Sequence, residues 1–380
     1  MMDLKNLLNR PPVEVDLGPV AEQLQNKIVM VTGGGGSIGS ELCRQIIQMR
    51  PLKLLILDHS ELNLYKIDSE LRERNFEVEI VSILADIKEL HSLIKIFHKY
   101  SPDYVYHAAA YKHVHLVESN PYSSIVNNVL GTKNLIDCSI DFQVKTFVMV
   151  STDKAVNPVS IMGATKRICE MLITEAAEKS GRRFCSVRFG NVLGSSGSLI
   201  PLLEKQVLSG GPVTITHPDM MRYFMLISEA VKLVLKAGQL SNPGDVYILK
   251  MGPPVKVIEM ARKVIQLLGK TEEEIPIIFT EIRPGEKLFE ELYLVGNETL
   301  TEHEDILVLP HRSIEKQNLE LIQEIVKYAF DENEKALELL RILCSKENFE
   351  LKNNEGSSSE GPLFGKIQSW NHIEINPLPV

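Results

Sequence analysis

Met30–Leu42 reads MVTGGGGSIGSEL, and the assignment of this stretch decides the fold. The apolar run KIVMV leads into four consecutive glycines, and the amphipathic stretch ELCRQIIQM follows them. A glycine fingerprint is informative when it lies between a buried strand and the start of a helix, as it does here. Gly33, Gly36 and Gly39 stand at GxxGxxG spacing. The first permits a positive φ at the turn, the second removes a Cβ from the path of a pyrophosphate, and the third lets strand and helix approach closely. Ser37 and Ile38 then open a helix whose free amides and partial positive charge favour phosphate.

The same alternation of short apolar runs with helical stretches continues downstream. LKLLILD, VEIVSILAD, DYVYHAA, VKTFVMVS and RRFCSVRFG read as strands, and SIVNNVLGTKNLIDCSI reads as a helix. Repeated β-α-β units with strands this apolar predict an α/β fold, a Rossmann-type doubly wound parallel sheet covered on both faces. The second strand ends in Asp58, 19 residues beyond Gly39, where a carboxylate can accept hydrogen bonds from an adenosine ribose. A 2'-phosphate there would meet like charge, so NAD is expected rather than NADP. Asp58 also suits a simple helix N-cap. Asp86, ending the third strand, suits the adenine edge or a cap. Ala108 and Ala109, after the fourth strand, leave room for a flat cofactor.

Regularity falls after Asn191, where GSSGSLIP and SGGPVTITHPD thicken in Gly, Ser and Pro. The expected organisation is an N-terminal extension over 1–26, an NAD-binding domain over 27–190 with parts of 222–251, and a smaller, discontinuous substrate-binding domain over 191–221 and 252–314. A C-terminal helical extension and tail follow over 315–380. NNEGSSSEGP reads as a flexible linker, and Trp370 beyond it as a packing residue.

Hydrophobic residues make up 44% and charged residues 24%, the balance of a soluble globular chain. A net charge of -9 argues against nucleic acid as a partner. Five scattered cysteines without CxxC spacing suggest neither disulfides nor zinc and are expected to be reduced and buried. His107, His113 and His115 cluster near one strand end without a supporting ligand set, so no metal is expected. No apolar run has the length of a signal peptide or a membrane span, and a cytoplasmic location is expected.

The stretch STDKAVNPVSIMGATKR, Ser151 to Arg167, begins at the carboxyl end of a strand, where ligands of open α/β sheets bind. Met162 and Lys166 are four residues apart on the following helix and share a face. Together with TGGGGSIGSEL, HAAAYKHVHLVE, RFGNVLGSSGSLIP and RPGEKLFEEL, it resembles the nucleotide-sugar 4,6-dehydratases of the extended short-chain dehydrogenase/reductase superfamily. More narrowly it is similar to the UDP-N-acetylglucosamine 4,6-dehydratases of bacterial polysaccharide and nonulosonic acid pathways. The likeness runs from about Leu7 to Leu309, roughly four fifths of the chain.

The resemblance implies a cycle in which NAD takes hydride from C4 of the sugar, water is lost across C5–C6, and the hydride returns to C6. It implies Asp153 as proton donor to the leaving hydroxyl, Lys154 as the C5 base, and Lys166 as the residue that holds the nicotinamide ribose. Met162 stands where the family branch that inverts C5 has a tyrosine, which implies retention at C5 and removes the customary base for the C4 hydroxyl. Thr152, Asp153 or Lys166 must relay that proton. Lys112, His113 and Asn191 match positions facing the sugar or diphosphate, and Arg222, Arg283 and Glu286 match the nucleotide end. The partner implied is UDP-N-acetylglucosamine in surface-sugar synthesis such as legionaminic acid. LLNRPPVEVDL resembles a segment that joins a membrane domain in larger relatives; a free-standing chain without that domain, forming a homo-oligomer, is expected. A C5-inverting dehydratase, a UDP-sugar 4-epimerase and a catalytically silent nucleotide-binding protein remain as rival readings.

Overall fold

The computed structural model describes residues 4–8, 10–292 and 298–353. The linker beyond Asn353 and the tail with Trp370 lie outside the described residues. Nine strands form the main sheet: β1 (Ile28–Thr32), β2 (Lys53–Asp58), β3 (Glu79–Leu84), β4 (Tyr104–His107), β5 (Thr146–Val150), β6 (Arg183–Arg188), β7 (Val246–Leu249), β8 (Thr299–Leu300) and β9 (Ile306–Leu309). Their spatial order is β8-β9-β7-β6-β5-β4-β1-β2-β3. The strands β1 to β7 are mutually parallel, and β9 and β8 close one edge antiparallel. The order 3-2-1-4-5-6 is that of a doubly wound dinucleotide fold, with its direction reversing between β1 and β4.

Period-two alternation in the strands fills two cores. Val29, Val31, Leu54, Ile56 and Val187 face one cluster, closed by the helices Ser37–Ile46 and Ile227–Leu240. Met30, Leu55, Leu57, Phe147 and Phe184 face the other, closed by Leu90–Tyr100, Gly131–Asp141 and Ile161–Ser180. The later helices Lys316–Phe330 and Lys335–Asn353 add a further layer there through Ile322, Ile325, Leu339 and Leu343. A third, separate cluster gathers Leu193, Leu203, Val213, Phe224, Met260 and Val264 into a smaller lobe.

Two details differ from the expected boundaries. Residues 299–309, expected in the substrate domain, extend the main sheet, with Leu249 opposite Ile306 and Val246 opposite Leu309. The short run ILVL is framed by charged residues and carries little strand signal of its own; the open edge of β7 recruits it. The N-terminal extension, in turn, spans both lobes. Leu7 is buried in the smaller cluster, whereas Val20 and Leu24 join the first core. Between them Glu229 Oε1 accepts from Arg10 Nη1 (2.7 Å) and from the Val13 amide (2.6 Å).

Candidate active site

The glycine turn is held by close backbone approach. Gly33 has φ +66°, and a Cβ there would stand 2.7 Å from the Ala109 Cα; a Cβ on Gly39 would stand 2.0 Å from the Gly33 carbonyl oxygen. Neither position tolerates a side chain. The helix Ser37–Ile46 opens with no side-chain cap, so its first amides are left for an anion. Asp58, 5% exposed, accepts the Gly35 amide (2.9 Å) and the Ser60 amide (2.8 Å), which ties the glycine turn to the end of β2. Asp86 accepts the Lys88 amide (2.9 Å) and pairs with the Lys88 ammonium (3.2 Å), so it organises its own turn.

A cavity of about 800 Å³ opens at the switch point, beside the carboxyl ends of β1, β4 and β5. Gly36, Ser37, Ile38, Gly39 and Ala108 form its cofactor wall. Ala109 does not reach it and lies beneath Gly33. Thr152, Lys154, Met162 and Lys166 also line the cavity, as do Lys112, His113 and Asn191. Residues separated by more than 150 positions in the chain thus share one space.

The catalytic stretch continues β5 past its end, because Ser151 and Asp153 donate their amides to Val187 (2.7 Å) and Phe189 (3.1 Å) carbonyls. Asp153–Ala155 then makes a single helical turn capped by Thr152. Ser160 caps the next helix by accepting the Gly163 amide (3.1 Å), and a Cβ on Gly163 would stand 2.2 Å from the Lys154 carbonyl oxygen. The missing side chain lets Met162 and Lys166 rise beside Lys154. Lys166 is 5% exposed, and its burial lowers its pKa, against the charges of Cys169 and Glu170.

Asp153 is only 1% exposed and does not itself line the cavity. Its Oδ1 accepts from Thr152 Oγ1 (2.8 Å) and Lys154 Nζ (2.9 Å), both on residues that do. Asp153 is thus connected to the cavity through these two neighbours. Directly behind, Glu170 accepts Ser151 Oγ (2.6 Å), two bonds from Arg188 (2.7 and 2.6 Å) and one from Arg167 (3.2 Å). Burial opposes its ionisation, but Arg188 and Arg167, with the Ser151 hydroxyl, hold the carboxyl at about 2. Arg188 braces this carboxyl with two bonds.

The geometry does not bring every expected residue into the cavity. Arg222 is 7% exposed and gives Nη1 to the carbonyls of Met221 (2.7 Å) and Leu288 (3.2 Å). Arg283 is exposed, and Glu286 closes a turn on the Arg283 carbonyl (3.1 Å). Neither lines the cavity, because Gly285 docks the RPGEK turn on Ser160, Val114 and Glu118, in front of the helix Ile161–Ser180. His107 bridges Thr32 (2.7 Å) and Thr132 (2.9 Å) as a buried, neutral ring, its pKa held low by burial and Lys166. Glu290, which the sequence reading passed over, is buried beside Arg222 (3.9 Å).

A family model described as "Polysaccharide biosynthesis protein" matches residues 29–311. The chain belongs to this polysaccharide biosynthesis protein family. Among relatives, it is 50% identical to the capsular polysaccharide biosynthesis protein CapD of Staphylococcus aureus over 77% of this chain and 49% of CapD. It therefore spans about half the length of that relative. It is 34% identical to a UDP-glucose 4-epimerase of Rickettsia rickettsii, over 74% of this chain and 81% of the epimerase. Among solved structures, Pen from Bacillus thuringiensis superposes with a TM-score of 0.70 at 32% identity, covering 77% of this chain and 90% of Pen. DesIV of Streptomyces venezuelae, a dTDP-glucose 4,6-dehydratase solved with NAD, has the same fold at a TM-score of 0.62 and 22% identity, covering 70% and 88%. The family member described here thus has the Rossmann-type fold of short-chain dehydrogenase/reductase epimerases and dehydratases.

Proposed function

We propose that this chain is an NAD-dependent UDP-N-acetylglucosamine 4,6-dehydratase that retains configuration at C5. The observation that carries the reading is the joint placement of Lys154, Thr152, Met162 and Lys166 around one cavity, with Asp153 bonded to the first two. This sets an acid–base couple opposite a thioether, where an epimerase would need a phenol. CapD-like kinship and the uncapped helix at the cofactor wall support the same reading.

The residues present suit NAD: a Cβ at Gly33 or Gly39 would fill the cradle, and Asp58 stands at the end of β2 for the ribose. When bound, NAD supplies reversible hydride transfer, with no net change of oxidation state in the substrate. The chain's own residues do the rest. The uncapped amides near Ser37 hold the pyrophosphate, and Lys166 holds the ribose beside the sugar. Lys154 takes the C5 proton and returns it to C5 when hydride is delivered to C6. Asp153, by way of Thr152 Oγ1, which is nearer the cavity, takes the C4 hydroxyl proton as hydride leaves C4 and gives that proton to the departing C6 oxygen. Met162, which cannot exchange a proton, supplies an apolar wall. Lys112, His113 and Asn191 meet the diphosphate or the N-acetyl group.

Incubating the purified protein with UDP-N-acetylglucosamine in deuterated water tests this reading. The expected product is UDP-2-acetamido-2,6-dideoxy-α-D-xylo-hex-4-ulose, formed without added cofactor and identified by NMR. A product that keeps its C6 hydroxyl would instead establish the 4-epimerase reading, which kinship with the rickettsial enzymes favours. Inverted C5 would remove the role given to Met162.

A further inference from the structure

The N-terminal extension reaches the wall of the cavity at Glu229 and again at Gly194. The strands Asn191–Leu193 and Phe224–Leu226 pair in parallel, with Phe224 opposite Asn191 and Leu226 opposite Leu193. Asn191, Val192, Leu193 and Phe224 all line the cavity, so this ribbon is one of its walls. Buried Glu229 holds the end of the ribbon, its Oε2 accepting the Leu226 amide (2.9 Å). The other oxygen of Glu229 is taken by the extension, through Arg10 Nη1 (2.7 Å) and the Val13 amide (2.6 Å). Arg10 itself lies across Gly252, where a Cβ would stand 3.0 Å from its Nε. Closer to the N-terminus, Leu7 is buried in the smaller lobe, and its carbonyl accepts from Lys263 Nζ (3.4 Å). Leu4 then packs on the turn that follows the ribbon: Gly194 has φ +80°, and a Cβ there would stand 2.7 Å from Leu4 Cδ1. Leu193 and Ser195, on either side of Gly194, line the cavity.

A ribbon of two short strands has little stability of its own in water and keeps one geometry only when it is packed or tied at its ends. A carboxylate is a strong tie, because its hydrogen bonds are charge-assisted, but a buried one must itself be paired with a cation. Arg10 supplies that cation to Glu229. We propose that Arg10 and Leu4 are positioning residues for the substrate: Arg10, through Glu229, fixes the Phe224–Leu226 strand and with it Asn191 at the cavity, and Leu4 fixes the turn beyond. This rests on the reading given above, in which the cavity takes a nucleotide sugar. The extension thus shapes the substrate side of the cavity, whereas the cofactor cradle is held by its own close backbone contacts at Gly33 and Gly39.

The test separates positioning from plain stability. Arg10→Ala should raise KM for UDP-N-acetylglucosamine about tenfold with kcat changed less than about threefold, the signature of lost substrate binding. Arg10→Lys, which keeps a cation for Glu229, should hold KM within about threefold, and Leu4→Ala, which leaves Glu229 paired, should raise it by about threefold or more. Val20→Ala is the control: Val20 belongs to the same extension but packs in the first core, so the variant should lower the melting temperature and leave KM unchanged. An equal rise in KM in Val20→Ala would overturn the proposal, as would wild-type KM in Arg10→Ala. Where Arg10→Ala does not fold, Leu4→Ala decides, and an unchanged KM there overturns it. Amide hydrogen exchange on the ligand-free protein reads the same coupling without substrate. In Arg10→Ala the amides of 191–193 and 224–226 should exchange about tenfold faster relative to those of β5, and in Val20→Ala they should keep the wild-type ratio. A wild-type chain that neither binds nor converts UDP-N-acetylglucosamine would remove the substrate reading, and the exchange comparison would then decide the hold of the extension on the ribbon alone.

Discussion

Two buried polar groups flank the end of β5, and they are built on opposite plans. Behind the strand, Glu170 is fully occupied by Ser151, Arg167 and a two-bonded Arg188. Elsewhere, Asp153, three residues past the end of β5, and Glu290 each have a buried oxygen with no partner among the described residues. The first arrangement resembles the interior of any stable domain, in which buried charges are paired and their lone pairs used. The second leaves hydrogen-bonding capacity open beside a cavity, where a proton can be moved. Ser151 and Asp153, two residues apart just past the end of β5, thus belong to opposite plans.

The largest expected effect lies behind the strand. Arg188→Leu strands the Glu170 charge and should cost about 3–5 kcal/mol of unfolding free energy; chemical denaturation measures it, and a loss below about 1 kcal/mol would remove the contrast. Acid titration sharpens the same point. Because the folded carboxyl of Glu170 sits at about 2 against an ordinary 4.5, its contribution is present above about pH 4.5 and is lost as pH falls toward 2. Thermal melts across that window should drop steeply in the wild type, and less so in Glu170→Gln.

In front of the strand the expectation is reversed. Asp153→Asn and Lys154→Ala should each lower turnover by at least about a hundredfold, and Asp153→Asn should do so while leaving stability within about 1 kcal/mol. Rate assays and melts on the same preparations separate the two effects; near-normal turnover would overturn the assigned roles. Gly163→Ala is intermediate, since its Cβ would lie 2.2 Å from the Lys154 carbonyl oxygen. Displacing that turn should cost about 1–3 kcal/mol and reduce activity with it. Met162→Leu should be the mildest, below about 1.5 kcal/mol, with C5 configuration in the product unchanged by NMR.

Legibility in the sequence follows the range of the interactions. The glycine turn, the strands and the Met162–Lys166 face depend on neighbours a few residues away, so spacing alone places them. Arg222 and the RPGEK turn depend on contacts between distant segments, such as Gly285 on Ser160, and their positions are set only when the chain closes. Glu290 and Glu291 make the limit plain. They are the same residue side by side, yet one is buried beside Arg222 and the other is exposed beside Lys287. No local pattern distinguishes them.

The outer rim of the sheet carries a last consequence. Antiparallel β9 covers the open side of β7, and beyond it β8 offers only Thr299 and Leu300 to any incoming strand. A parallel sheet exposed along that rim would be a template for a second molecule to add to. Among the described residues, those two give such growth little purchase.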